Sequence, residues 1–116
     1  MKIILGLVGS LASGKETTKK YLAENYKAED CKFSSILRDV LNRITVPVSR
    51  ENMQNLSTIL RANFGENLLA KVTANDAQKL EAEIVVIDGV RRPTDIEYLI
   101  KLPNFFLIKI DADSKI

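Results

Sequence analysis

The fold is decided by the first stretch, Lys2-Ile-Ile-Leu-Gly-Leu-Val-Gly9-Ser-Leu-Ala-Ser-Gly14-Lys15-Glu16-Thr17-Thr18. Its opening is a continuous apolar run bounded by Gly9, the pattern of a strand buried on both faces of a parallel sheet. A glycine, four residues and Gly14-Lys15 follow at once. The glycines let the backbone curl so that successive N–H groups point inward at an anion. A helix opening near Gly14 adds its unpaired N–H groups and positive dipole end, and Lys15 adds a mobile cation. Because the loop leaves a strand and enters a helix, it has the context of a phosphate cradle. Gly9, Ser10, Ala12, Ser13, Gly14, Lys15, Glu16, Thr17 and Thr18 are therefore expected to line the phosphates of a purine nucleoside triphosphate, ATP foremost.

Working outward, Gly14 to Tyr26 reads as a helix with Tyr21, Leu22 and Tyr26 on one side and its lysines on the other. Residues 28–33 read as a short strand. Ile36, Leu37, Val40, Leu41 and Ile44 recur at helical spacing before Pro47 breaks the pattern. Ser49 is placed as the N-cap of a helix running to about Asn63, with Met53, Leu56, Ile59 and Leu60 inward and Gly65 ending it. A helix over about 67–79 leads into the apolar run Ile84-Val-Val-Ile-Asp88. Thr94 and Glu97 have the spacing of a capping box opening a short helix to about Lys101, and Phe105–Ile110 reads as the last strand. Strands alternating with helices predict a parallel sheet covered on both faces, with a ligand at the carboxyl ends of the strands. Gly9 and Asp88 both fall at such ends.

The 116 residues suit one domain, 46% of them hydrophobic and 28% charged, which excludes a disordered chain. A net charge of +2, spread along the chain, gives no footprint for nucleic acid but is compatible with a small polyanion. The single cysteine, Cys31, cannot form an internal disulfide, so a reduced, cytoplasmic setting is expected and the thiol reads as a small apolar filler on a strand. The absence of histidine removes the commonest general base and metal ligand. The apolar start is one strand long, too short for a leader or a membrane span, so no membrane partner is expected.

One position narrows the comparison. A hydroxyl residue usually follows the loop lysine; here Glu16 does, with Thr17 next. Gly-Lys-x-Thr resembles the nucleoside monophosphate kinases, the adenylate kinase, deoxynucleotide kinase and dephospho-coenzyme A kinase branch of P-loop proteins. Phe33-Ser-Ser-Ile-Leu-Arg38 is similar to the segment that receives the acceptor monophosphate in that family. Arg50-Glu-Asn-Met-Gln-Asn-Leu, with Leu60-Arg61 and Phe64-Gly65, resembles its acceptor-side helices, and Val86-Ile-Asp88-Gly-Val-Arg91-Arg92-Pro93 its strand-end Asp-Gly followed by a phosphate-binding arginine.

The resemblance implies a P-loop three-layer α/β/α domain of nucleoside monophosphate kinase type over residues 1–116. Four parallel strands would be present, with the acceptor-side helical region at about 35–80 between them. It implies transfer of a γ-phosphoryl group from ATP to a nucleotide-like monophosphate, with small-molecule nucleotides as partners. Lys15, Asp88 and Arg91 would be catalytic; Ser34, Arg38, Arg61 and Arg91 would receive the acceptor. Thr17 and Asp88 would stand on the magnesium side. Glu16 would point into solvent, or else touch magnesium through water. Arg38, Arg50 and Arg61 also read singly as solvated faces of amphipathic helices. The family pattern continues into an arginine-bearing lid and a fifth strand, whereas here the lid would start at Ile110-Asp-Ala-Asp-Ser-Lys-Ile116. The chain is thus expected to be a piece or a reduced form, with an open sheet edge that favours self-association. A dephospho-coenzyme A kinase-like enzyme and an ATP-binding module without turnover are the two alternatives.

Overall fold

A computed structural model of the chain describes residues 2–9 and 14–109. The elements run β1 (Ile3–Val8), α1 (Lys15–Tyr26), β2 (Glu29–Lys32), α2 (Phe33–Arg43), α3 (Arg50–Phe64), α4 (Leu68–Lys79), β3 (Ile84–Asp88), α5 (Pro93–Ile100) and β4 (Phe105–Lys109). The four strands form one sheet in the order β2-β3-β1-β4, and every pairing is parallel. Each expected strand and helix is present, as is the α/β class with its parallel sheet. Among the described residues no helix is long and apolar enough to cross a membrane.

Strand alternation sorts the two faces. Ile4, Val85, Ile87 and Phe105 join Leu37, Leu69, Ala70, Ala74, Ala77 and Leu99 in the main core. Helices α4 and α5 therefore cover this face, α4 over β2 and β3, α5 beside β4, with α2 and α3 against α4. Close approach across this face requires a glycine in β1. A Cβ on Gly6 would stand 2.5 Å from the Phe105 ring, so the ring packs where a side chain would be. On the opposite face lie Asp30 and Val86, paired in the β2–β3 ladder, and Asp88, paired with Lys32. Helix α1 lies over that face, because its Lys19 reaches both acids.

Several local expectations hold and three are corrected. Ser49 caps α3, its hydroxyl accepting the Asn52 N–H at 3.0 Å. Gly65 closes the same helix by donating its N–H to the Arg61 carbonyl. The capping box does not form: α5 begins at Pro93, with no side chain capping its N-terminus. Proline already fits the first helical position, where a missing N–H costs nothing. Ile59, expected inward, is 56% exposed, since the apolar contact of α3 with the core is made by Met53, Leu56 and Leu60. The largest correction concerns α1. Tyr21 and Tyr26 are exposed and stack edge-to-face on each other, while Lys15 and Lys19 turn inward. Its inner face meets carboxylates at the strand ends, and a buried acid selects a cation over an aromatic ring.

Candidate active site

The carboxyl end of β3 delivers Asp88 beneath the first turn of α1, which begins at Lys15. Gly14 makes that entry possible: its φ of 90° is the left-handed conformation that side-chain-bearing residues avoid. Lys15 Nζ lies 3.2 Å from Asp88 Oδ1, which also accepts the Gly89 N–H at 2.8 Å. Lys19 sits one helical turn further on, hence on the same face. Its Nζ donates to Asp88 Oδ2 at 3.0 Å and reaches Asp30 at 3.3 Å and Glu16 at 3.5 Å. The side chains of Lys15, Lys19 and Asp88 are only 9%, 11% and 11% exposed. Burial by itself would push the Asp88 carboxyl up. The hydrogen bonds and charges of Lys19 and Lys15 outweigh it and hold the group below its ordinary value. Burial likewise opposes the charge on Lys19, yet Asp88 and Asp30 together raise its pKa.

Beside this cluster opens a cavity of about 430 Å³, lined among others by Lys15, Lys32, Ser34, Asp88 and Arg91, with Phe33, Leu37 and Leu69 as its apolar wall. The cations along it differ in what they are free to do. Arg92 reaches Glu66 at 3.3 Å, whereas Lys32 and Arg91 form no ion pair among the described residues. Arg61 also lines the cavity, but its guanidinium grips Asp95 through two bonds of 3.1 and 3.3 Å. It further donates to the Glu66 carbonyl and to Ser57. Arg61, expected to receive an acceptor, thus borders the cavity while its donor fork fastens α3 to α5. Arg38, also expected there, is exposed on α2 and is not among the residues lining the cavity.

At the loop itself, the Glu16 side chain is 70% exposed while bordering the cavity, and Thr17 is exposed. Ser10, Ala12 and Ser13 lie outside the described residues. Magnesium, expected at Thr17 and Asp88, finds a poor donor set. Each Asp88 oxygen already accepts from an ammonium group, and the described residues hold no group of three or more His, Cys, Asp or Glu placed to share a metal ion. Lys19 and Lys32 were not singled out by the sequence. For Lys19 a signal existed: a loop lysine turned inward carries the residue four positions later with it.

No protein-family model matches the chain. It is similar to proteins designated UPF0200. To one from Methanoregula boonei it is 28% identical over 110 residues, covering 94% of this chain and 60% of the relative. To one from Methanococcus maripaludis it is 30% identical over 117 residues, with 99% and 63% covered. To one from Thermoplasma volcanium it is 28% identical over 117 residues, with 99% and 62% covered. The chain thus spans about three fifths of the length of the curated relatives it matches.

Proposed function

We propose that this chain is a P-loop nucleotide kinase-like domain, holding the phosphates of ATP on the loop from Gly9 to Thr17 and transferring the γ-phosphoryl group to a nucleotide-like monophosphate in the adjoining cavity. One observation carries the reading. An amino group at a helix N-terminus, Lys15, borders a cavity of about 430 Å³ whose other polar lining includes Ser34, Lys32 and Arg91. A donor phosphate site and an anion-receiving pocket are thus contiguous, as in-line transfer requires.

In the reaction an acceptor phosphate oxygen attacks the γ-phosphorus, and the bond to the β–γ bridging oxygen breaks with its electron pair leaving on ADP. The chain's contribution is position and charge. Lys15 and the first N–H groups of α1 hold the donor phosphates, while Arg91 and Ser34 hold the acceptor. Lys32 adds charge at the same wall. A guanidinium fork suits the planar arrangement of phosphate oxygens better than a lysine does. Magnesium would arrive bound to ATP, as part of the substrate.

Lys15→Ala tests the donor half. Loss of one charge-assisted phosphate contact should weaken ATP binding by about 1.5–3 kcal/mol, read by calorimetry; unchanged affinity would remove the loop as the site. A coupled assay over a panel of monophosphates tests the acceptor half. One specific feature favours a second reading, a module that binds ATP without turnover: Arg61 is committed to Asp95, leaving the cavity fewer cations than a transferring phosphoryl group calls for. ATP binding with no turnover across the whole panel would select it.

A further inference from the structure

We propose that Lys19 is the site's built-in cation, standing where a protein-held divalent ion would, so that this chain binds a nucleoside triphosphate without a metal held by Asp88. The inference rests on the phosphate-loop reading above and adds the identity of the cation to it. Asp88 is fully engaged by ammonium groups, one on each oxygen. To bind a metal there, the chain would have to eject an amino group from a nearly buried ion pair, and the described residues offer no further cluster of acids to help hold the ion.

Charge balance shows what Lys19 does once a ligand arrives. Lys15 is the loop's mobile cation, and its hold on Asp88 competes with phosphate. If Lys15 turned to the phosphates with no second cation below, Asp88 would stand uncompensated beside a polyanion, which is costly at a nearly buried position. Lys19 removes that penalty. It stays on Asp88 at 3.0 Å and is held there from the other side by Asp30 at 3.3 Å. Lys15 can therefore leave without stranding the carboxylate. Glu16 belongs to the same arrangement. It occupies the position after the loop lysine and reaches back to Lys19 at 3.5 Å, so its carboxylate helps fix the ammonium group. Lys19 is on this account a positioning residue, acting on the phosphates through Asp88 and Lys15.

The test is ATP binding by calorimetry for the whole chain, with magnesium and with EDTA, in the wild type, Lys19→Met and Lys19→Arg. Wild-type affinity should agree within about threefold between the two conditions, a difference of less than 1 kcal/mol. Lys19→Met should lose about tenfold or more in EDTA, the scale of one charged contact, and recover most of it with magnesium. Lys19→Arg should keep the wild-type insensitivity. In the absence of nucleotide, Mn²⁺ titration followed by electron paramagnetic resonance should show no tight site in the wild type and a gained site in Lys19→Met. The inference is overturned if wild-type affinity falls about tenfold or more on removing magnesium, or if the wild type binds Mn²⁺ as tightly as Lys19→Met does. Those outcomes leave the phosphate loop intact. Failure of the wild type to bind ATP under either condition would bring down both readings together, and the wild-type comparison does not depend on any variant folding.

Discussion

Asp88 carries two ammonium groups and a backbone N–H on one carboxylate, so its protonation is coupled to folding. The native carboxyl is held below its ordinary value. Its contribution is therefore complete above the unfolded value of about 3.9 and is lost as pH falls through the native one. Urea unfolding from pH 7 downward should show a decline on the acid side that Asp88→Asn flattens, with the variant already weaker at pH 7 because Lys15 and Lys19 lose their counter-charge. Superimposable acid limbs would mean that the network adds nothing to stability. Cys31 gives a second residue-scale expectation. Burial first, then the charges of Asp76, Asp30 and Glu29, push its thiol up to about 11. Thiolate is the reactive form, so alkylation by iodoacetamide should be slow at neutral pH and rise steeply only toward that value; rapid labelling at pH 7.5 would contradict the burial. At this scale the sequence was legible where chemistry demands a residue type at a fixed spacing, as for Lys15 and Asp88. It was not legible where the decision lay in a tertiary partner. Arg61 looks the same in the sequence whether its fork meets phosphate or Asp95, and only packing of α3 against α5 decides.

Helices α3 and α5 are joined by that buried pair, with side chains 6% and 1% exposed. Removing one partner of such a pair strands the other charge, which typically costs about 3–5 kcal/mol. Asp95→Ala should therefore lower the unfolding free energy read from urea denaturation by that order at pH 7, whereas replacing both partners by apolar residues of similar volume should cost much less. A double variant that loses the sum of the two single losses would show that the pair is not coupled. The elements themselves were largely readable, because each is bounded by a residue with a local physical role, such as Ser49 capping α3 or Gly65 closing it. The orientation of α1 was not. Apolar periodicity put its tyrosines inside, but the composition of a helix does not report what lies beneath it, and here two acids do.

For the whole molecule, β4 forms one border of the described sheet, with Phe106 56% and Leu107 41% exposed. Its outer edge has no partner among the described residues, and an edge bearing exposed apolar residues is a template for another strand. Light scattering should show a mass that grows with protein concentration, and Phe106→Lys should return it toward the monomer. A monodisperse monomer at every concentration would remove the edge as an interface. Strand order lies outside what periodicity encodes: alternation of elements implied parallel strands, but not that β1 would sit between β3 and β4. That placement also has a consequence in time. β1 finds neither of its described neighbours until the chain from Ile84 onward exists, since its partners are Ile84–Ile87 and Phe105–Lys109. Contacts so distant along the chain must close large loops before any pairing is gained, which slows folding. The apolar run Ile3–Val8 therefore leaves the ribosome before either described partner strand exists, and until they follow it is an apolar segment for a chaperone to cover.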